Sequence, residues 1–253
     1  MLKIRIIPCL QLIDQSLVKT VKFGKYGYIG DPINTVRIFN ELEVDELCFL
    51  DIRATIQHRQ PNLKILSEIA NECFMPLSYG GGVTDAETAK KILSIGFEKI
   101  IINTAAIENP QLITEIATHS GNQSVIVSID IKKTLLGGYT VYSTDGTKKV
   151  KLNPVEWAIR AQELGAGELL ITSMDQDGTW KGFDTAIICK ISETVSIPVI
   201  ANGGAGCLTD IGKAVRQGKA SAVALGSMVV YQKKGMGVLV NFPDKNSIKS
   251  LLE

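Results

Sequence analysis

The sequence predicts an α/β fold in which eight parallel strands close into a (β/α)8 barrel, the TIM barrel. The first observation is that eight short runs rich in Val, Ile and Leu recur along the 253 residues. These runs do not alternate with polar residues, as is typical of parallel strands that are buried on both faces. The second is that amphipathic, helix-like segments lie between the runs. A doubly wound open sheet is the alternative, but it usually carries a glycine fingerprint after its first strand, and the first run here has none.

In chain order, the apolar runs predict strands over residues 5–12, 46–52, 76–80, 99–103, 124–130, 168–173, 197–202 and 221–226. The segments between them predict helices over residues 31–44, 61–73, 84–96, 109–120, 153–167, 183–195 and 207–218, followed by a tail helix around 247–252. Asp31, Asn109 and Asn153 each precede a proline, which indicates helix starts with a capping side chain. Thr84 with Glu87 indicates a capping box at another start.

We expect one domain over residues 1–253, with a hairpin inserted after the fifth strand at about 134–150. The stretch GGYTVYSTDG at 137–146 alternates Tyr and Val between turn residues, as a hairpin does. The chain also resembles itself at a nearly constant offset, which predicts an internal repeat of two half-barrels. Chance similarity of glycine-rich turns is the alternative. The offset is 124, 122 and 123 residues for the pairs Asp51 and Asp175, Gly81 and Gly203, and Asn103 and Gly226.

Composition and charge exclude several classes of protein. Hydrophobic residues make up 45% and charged residues 21% of the chain, which excludes a disordered or fibrous protein. The formal net charge of +1 provides no field for nucleic acid or an anionic membrane. The five cysteines form no C-x-x-C pair, so we expect reduced thiols in the cytoplasm, without a disulfide framework or a metal site. The sequence has no apolar run long enough for a signal or a membrane span, and we expect no cofactor.

Four turns at predicted strand ends suit phosphate groups. Reacting groups of such barrels lie at the carboxyl ends of the strands, and glycines there let backbone N–H groups approach an anion. Two sets of turns on opposite sides of the axis predict a ligand with a phosphate at each end, and tight turns without a ligand are the alternative. The turns contain Gly80 to Gly82, Asn103 with Thr104, Gly203 with Gly204, and Gly226 with Ser227.

Asp130 is the strongest candidate for proton transfer. It ends an apolar run, where a buried carboxylate without a partner is costly, so we interpret it as an acid or a base. The half-barrel offset aligns Asp130 with Gln11, whose amide cannot transfer a proton. One carboxylate of a possible pair is therefore missing. Further ligand-binding candidates at or after strand ends are Lys19, Asp51, Thr172, Asp175 and Asp177.

Charged residues of alternating sign stand at the amino ends of four predicted strands. A ring of salt bridges between them would close the lower face of the barrel. Stabilisation of the barrel alone is the alternative to a functional role. The four residues are Arg5, Glu46, Lys99 and Glu168.

Seven motifs together resemble the cyclase subunit of imidazole glycerol phosphate synthase over nearly the whole chain. They are RIIPCL at residue 5, GDP at 30, DELCFLDI at 45, GGGV at 80, INTAAIENP at 102, GAGELLITSMDQDGT at 165 and PVIANGGAG at 198. The resemblance implies a (β/α)8 barrel that works with a glutaminase subunit on its lower face. It further implies that ammonia from that subunit crosses the barrel core and meets a bis-phosphorylated ribulosyl substrate at the top.

The resemblance also implies roles for individual residues. Asp130 matches one of the family's two catalytic aspartates, and Gln11 stands in the place of the other. The family's ammonia gate matches Arg5, Glu46, Lys99 and Glu168. One phosphate cradle matches Gly82, Asn103 and Thr104, and the other matches Gly203, Gly204, Gly226 and Ser227.

Departures from the family pattern favour a paralogous branch. Besides Gln11, the chain has Gly27 and Tyr28 in place of an Arg-Asp pair, and Asn202 in place of a serine. These features resemble the branch associated with acetamidino modification of surface-polysaccharide sugars, in which the barrel and a glutaminase supply ammonia to a separate amidating enzyme. The alternatives are a genuine cyclase of histidine biosynthesis and an isomerase of a phosphorylated aminoaldose.

Overall fold

A closed barrel of parallel strands forms the centre of the protein. The computed structural model describes residues 4–135 and 137–252, and within them each barrel strand pairs with the next and the last pairs with the first. The predicted (β/α)8 barrel is therefore confirmed. In ring order the strands are β1 (Arg5–Ile13), β4 (Leu47–Asp51), β5 (Leu77–Gly80), β6 (Lys99–Ile102), β7 (Val125–Lys133), β10 (Glu168–Ser173), β11 (Val199–Asn202) and β12 (Ala222–Leu225).

Antiparallel strands extend the first strand of each half of the barrel. In the first half, β2 (Ser16–Thr20) folds back on β1 and β3 (Tyr26–Gly30) pairs with β2, an extension that the sequence patterns do not predict. In the second half, β8 (Tyr139–Ser143) folds back on β7 and β9 (Lys148–Val150) pairs with β8. Gln11 pairs with Val18 at the start of one hairpin, as Asp130 pairs with Tyr142 at the start of the other. The two residues thus hold corresponding places in the two halves.

Helices cover the outside of the barrel. They are α1 (Pro32–Glu41), α2 (Leu63–Glu72), α3 (Ala86–Ser94), α4 (Thr104–Glu108), α5 (Gln111–Ser120), α6 (Pro154–Glu163), α7 (Thr185–Ser192), α8 (Leu208–Arg216), α9 (Ser227–Val230) and α10 (Lys245–Leu252), with a 3-10 turn at Asn122–Ser124. In the described part of the chain, none of these helices has the length and apolar character needed to cross a bilayer.

The helix starts agree with the sequence only in part. Asp31 and Asn153 cap α1 and α6, because their side chains accept hydrogen bonds from backbone N–H groups of the first turn. The predicted capping box at Thr84 is wrong, since Asp85 is the cap of α3 and accepts the N–H three residues on at 2.7 Å. The expected cap at Asn109 is also wrong, because α5 has no side-chain cap. A carboxylate is a stronger acceptor than the neighbouring hydroxyl, which explains the shift by one residue at α3.

Apolar side chains form two separate clusters. Neighbouring residues of a strand point to opposite faces, so Ile6 and Leu10 pack outward against the helices whereas Ile7 and Cys9 point into the barrel. The outer cluster fills the space between strands and helices. The inner cluster fills the barrel axis with Ile7, Cys9, Cys48, Ile101, Ile126, Leu170, Ile200, Ala222 and Ala224. The barrel interior is thus a packed apolar layer with polar groups above and below it.

Candidate functional site

A cavity of about 440 Å³ opens at the carboxyl ends of the barrel strands. Its walls include most of the residues that the sequence assigns to ligand binding or catalysis. These are Gln11, Lys19, Asp51, Gly82, Asn103, Thr104, Asp130, Thr172, Asp177 and Gly226. Of the described residues, Asp175, Gly203, Gly204 and Ser227 are assigned by the sequence but are not part of this wall. The predicted phosphate cradle of Gly82, Asn103 and Thr104 therefore lies at the cavity, whereas the second cradle reaches it only through Gly226.

Asp130 is enclosed at the end of β7 by hydrogen-bond donors. Asn103 Nδ2 donates to its Oδ2 at 3.0 Å, and the Thr172 hydroxyl on the neighbouring strand also bonds to it. That hydroxyl accepts a hydrogen bond from Asn202 Nδ2 at 3.1 Å, which leaves its proton for Asp130. Burial raises the pKa of Asp130 to about 7, and the nearby charge of Asp145 acts in the same direction. Both protonation states of Asp130 are therefore accessible near neutral pH.

Gln11 lines the same cavity, and its amide oxygen is engaged by Thr20. Its Oε1 accepts a hydrogen bond from the backbone N–H of Thr20 at 2.8 Å, and the Thr20 hydroxyl lies 3.1 Å from the same atom. A backbone N–H can only donate, so the Gln11 atom that accepts from Thr20 is the amide oxygen. The amide nitrogen of Gln11 therefore remains available to a ligand. Gln11 can donate a hydrogen bond to a ligand, but it cannot take up or release a proton.

Lys19 and Asp177 form a buried ion pair beside Gln11. Lys19 Nζ lies 2.8 Å from Asp177 Oδ1, and the two side chains are 4% and 8% exposed. The ammonium group also donates to the Thr20 carbonyl oxygen at 2.8 Å. The second carboxylate oxygen of Asp177 is 3.0 Å from the Thr20 hydroxyl. The carboxylate of Asp177 is thus fully engaged within the protein.

Asp51 closes the turn that follows β4. Its Oδ1 accepts hydrogen bonds from the backbone N–H groups of Arg53 and Ala54, both at 3.0 Å, and Arg59 NH1 lies 3.5 Å from its Oδ2. A side chain at Gly81, whose φ is +117°, would overlap the Asp51 carbonyl oxygen. The turn therefore requires glycine, and it brings the neighbouring Gly82 backbone to the cavity wall.

The two glycine sets have different surroundings. Asn103 and Thr104 continue from β6 beside Gly82, and Asn103 Oδ1 is buried without a hydrogen-bond partner in the described part of the chain. An unpaired buried acceptor at a cavity wall is suited to a ligand donor. Gly203 and Gly204 instead pack against backbone, since Gly182 donates a hydrogen bond to the Gly204 carbonyl at 2.8 Å. Close packing of the chain explains those two glycines.

The four charged residues of the lower face form a closed ring of salt bridges. Glu46 and Glu168 each contact both Arg5 and Lys99, with N to O distances of 2.7 to 3.0 Å. Burial is the largest single effect on Arg5 and acts to lower its pKa. The hydrogen bonds and charges of Glu168 and Glu46 together outweigh it, so the pKa of Arg5 is raised above its ordinary value. The ring joins the amino ends of β1, β4, β6 and β10. The predicted ring of alternating charges is thus present.

A small void lies between the ring and the upper cavity. Glu46 of the ring, Cys48 and Ser78 line it together with apolar side chains of the inner cluster. Cys9 Sγ, which borders the upper cavity, lies 3.7 Å from Cys48 Sγ. A short layer of apolar and thiol groups therefore separates the two openings.

Three comparisons identify the family of this chain. The family model described as "Histidine biosynthesis protein" matches residues 5–235. A Pseudomonas aeruginosa protein provisionally named imidazole glycerol phosphate synthase subunit hisF2 is 49% identical over 248 residues, 98% of this chain and 99% of that protein. The Alkaliphilus metalliredigens imidazole glycerol phosphate synthase subunit HisF is 41% identical over 229 residues, 90% of this chain and 91% of that protein. The chain belongs to the HisF-like family.

A further relative extends this result. A Leptospira interrogans protein provisionally named imidazole glycerol phosphate synthase subunit HisF is 46% identical to the HisF-like chain over 252 residues, 99% of each chain. The family resemblance seen in the sequence motifs is therefore confirmed, and so is the assignment to imidazole glycerol phosphate synthase cyclase subunits.

The HisF-like chain has two cavity carboxylates that the sequence patterns miss, Glu108 at the end of α4 and Asp145. Asp145 lies in the turn between β8 and β9 and forms part of the cavity wall. Burial raises its pKa to about 7, with Arg53 acting to lower it and Asp177 to raise it. The alternation of Tyr and Val at 139–142 indicates the hairpin but not which turn residue reaches the cavity. Among the described residues, no cluster of three or more metal-ligating side chains is present.

Proposed function

We propose that this HisF-like chain receives ammonia from a glutaminase subunit docked on its lower face, conducts it through the barrel, and supplies it for amidination of a nucleotide-activated sugar by a separate enzyme. The observation that carries the proposal is the alignment of three features along one axis. These features are the ring of Arg5, Glu46, Lys99 and Glu168, the void lined by Cys48 and Ser78, and the cavity at the carboxyl ends.

The chemistry of the barrel axis suits a small neutral molecule. Ammonia can pass an apolar layer, whereas an ammonium ion would lose its hydration there at a large free-energy cost. The layer between Cys48 and Cys9 is lined by apolar side chains such as Ile101 and Leu170. The ring would then be the gate at which the neutral molecule enters.

Gln11 supports the amidinating branch over a cyclase. A cyclase of this family uses two carboxylates, and the amide at the first position is held by Thr20 in a form that transfers no proton. The same substitution argues against an isomerase of a phosphorylated aminoaldose, which also uses an aspartate pair at these strand ends.

The second candidate function is cyclisation within the barrel itself, as the family name implies. The observation in its favour is that Asp130 keeps a pKa near neutrality beside Asn103. Gly82 and Thr104 at the same wall suit one phosphate of a small-molecule ligand. Titration with a bis-phosphorylated ribulosyl ligand tests this cradle. Absence of binding at millimolar concentration would contradict a phosphate-binding role for Gly82 and Thr104.

Lys99→Ala tests the conduit. We expect glutamine hydrolysis to uncouple from product formation, because Glu46 and Glu168 then share a single cation, Arg5. Stability should fall by only about 1 to 3 kcal/mol, since Arg5 remains in the partly buried ring. The measurement compares glutamine-driven with ammonium-driven product formation, using the glutaminase and the amidating enzyme co-expressed with the barrel.

The matched control is Lys91→Ala, which removes an exposed lysine paired with Glu87 on α3. It should leave both rates at the wild-type values. The conduit is wrong if Lys99→Ala also leaves both rates unchanged and pull-downs with the barrel recover no glutaminase.

A further inference from the structure

Asp145 enters the cavity from outside the barrel strands. The cavity wall contains Gln11 from β1, Asp130 from β7 and Asp145 from the β8–β9 turn. Gln11 and Asp130 hold corresponding places in the two half-barrels, so the first half contributes no proton-transferring group at its place. Asp145 places a second carboxylate in the same cavity from the β8–β9 turn instead of from a barrel strand.

The backbone of the turn is held in an unusual conformation that presents Asp145. Thr144 and Asp145 have φ values of +53° and +52°, and Gly146 follows at +71°. Non-glycine residues adopt this region at a cost, and aspartate and asparagine tolerate it best. The Thr144 N–H donates a hydrogen bond to Thr104 Oγ1 at 2.8 Å. The turn is therefore fixed to the wall that carries the predicted phosphate cradle.

Asp145 differs from the other cavity carboxylates in having no internal partner. Asp177 is paired with Lys19, and Asp51 is used in its own turn. In the described part of the chain, Asp145 forms neither a hydrogen bond nor a salt bridge within 4.0 Å. Asp130 is held only by neutral donors, among them Asn103, and Glu108, another carboxylate of the wall, is paired with Lys148. Asp145 is thus the wall carboxylate that is left for a ligand, with Asp130 as the second carboxylate that has no cationic partner.

We propose that Asp145 supplies the second acid–base carboxylate of this cavity and works with Asp130 on the reaction of ammonia with the carbonyl carbon of a phosphorylated ligand. This goes beyond ammonia delivery, because it assigns carbon–nitrogen bond formation to the barrel and so rests on the second candidate function. With Asp145 in this role, the reaction does not require a carboxylate at residue 11.

The proton transfers balance over one cycle. The nitrogen lone pair forms the C–N bond while the C=O π pair moves to oxygen, which takes a proton from Asp145. Asp130 takes a proton from the nitrogen, giving a carbinolamine. In the second step Asp130 returns its proton to the hydroxyl group, which leaves as water, and Asp145 takes a proton from the nitrogen. The products are an imine and water, and both carboxyl groups are restored.

Burial and the neighbouring charges bring the pKa values of Asp130 and Asp145 close to neutral pH. Burial raises the pKa of both Asp130 and Asp145 to about 7. The charge of Asp177 contributes to both increases, whereas Arg53 acts to lower the pKa of Asp145. An acid and a base poised near the working pH are the most effective pair.

Asp145→Asn is the decisive variant, because asparagine keeps the left-handed backbone and the size of the side chain. The assay uses the purified barrel, ammonium chloride and the bis-phosphorylated ribulosyl substrate of the family, so no glutaminase is needed. We expect kcat to fall by about 10² to 10⁴-fold with little change in KM, and one limb of the pH profile to disappear. The double variant Gln11→Asp with Asp145→Asn should regain much of the loss. Asp145→Gly, also compatible with a positive φ, should repeat the loss.

Glu43→Gln is the matched control, since Glu43 has a φ of +49° and lies between α1 and the amino end of β4, outside the cavity wall. It should leave kcat unchanged. The inference is overturned if Asp145→Asn stays within a few-fold of wild type. It is also overturned if wild type gives no product with ammonium. In that second case the proposed delivery of ammonia to a separate enzyme still stands, because the coupled glutamine assay tests it independently.

Discussion

Asp130 is a carboxylate whose burial has a measurable effect on stability. A pKa raised to about 7 means that the folded state holds this proton more tightly than the unfolded state does. The contribution to stability is full below the ordinary pKa of an aspartate, about 4, and is lost as pH rises to about 7. Ionisation of the buried Asp130 therefore lowers stability at alkaline pH.

Asp130→Asn should therefore stabilise the protein at pH 8. The variant keeps an oxygen for Asn103 but carries no charge, so we expect its free energy of unfolding to exceed that of wild type by about 2 to 4 kcal/mol. At pH 4 the difference should nearly vanish. Urea unfolding at both pH values measures it, with the exposed Glu115→Gln on α5 as a control. An equal difference at both pH values would contradict the assigned cause.

Lys19→Met should be strongly destabilising. It leaves the Asp177 carboxylate buried with the Thr20 hydroxyl as its remaining side-chain partner, a change that typically costs about 3 to 5 kcal/mol. Adding Asp177→Asn should recover a large part of the loss, because no uncompensated charge remains. Chemical unfolding of the single and double variants measures the coupling. The exposed pair of Lys219 and Glu193 provides the control, since Lys219→Met should leave the free energy of unfolding nearly unchanged.

Single residues differ in how far the sequence predicts them. Gln11 and Asp130 can be aligned through the half-barrel offset, and the structure places them at matching hairpin starts. Asp145 cannot be found that way, because its place in the cavity depends on the register of β8 against β9 and on three successive residues with positive φ. A Thr-Asp-Gly sequence in a loop predicts only a turn.

At the scale of elements, the start of α3 depends on a single carboxylate. Asp85 accepts the backbone N–H of Thr88, and this hydrogen bond lowers its pKa from the ordinary value. Asp85→Ala should cost about 1 kcal/mol, whereas Thr84→Ala should change stability by about 0.5 kcal/mol or less. Thermal unfolding at pH 7 distinguishes the two. If Thr84→Ala is the more damaging variant, the assigned cap is wrong.

The cap should also make this effect depend on pH. A lowered carboxylate pKa contributes stability above the ordinary value of about 4 and loses it as pH falls through the folded-state pKa. The difference between Asp85→Ala and wild type should therefore shrink at pH 2 to 3.

The antiparallel extensions explain why element boundaries are harder to predict than elements. β2 and β3 are each five residues long. Lys19 interrupts the apolar pattern of β2, and Gly27 and Gly30 interrupt that of β3. Their conformation depends on pairing with the end of β1, a tertiary contact without a local signal. The barrel strands, by contrast, are buried by contacts on both faces, and the segment 168–173 coincides with β10.

For the whole molecule, the alternation of apolar runs and amphipathic segments is enough to predict the barrel. Closure then determines which distant residues meet. Arg5 and Glu168 are 163 positions apart, and the sequence can propose their pairing only once the strands are taken to form a ring. The distances within that ring, and the orphaned oxygen of Asn103, depend on side-chain packing that no pattern encodes.

The salt-bridge ring has a consequence for what approaches the lower face. Two positive and two negative groups alternate around one closed cycle, so their fields cancel with distance much faster than the field of a single ion. At physiological ionic strength, charges are also screened over about 8 Å. The electrostatic potential of the ring is therefore negligible beyond its own diameter. The ring therefore neither attracts nor repels cations from a distance. In the proposed conduit, an ammonium ion and ammonia would be distinguished only on contact with the ring, where an ion must compete with the salt bridges and a neutral molecule need not.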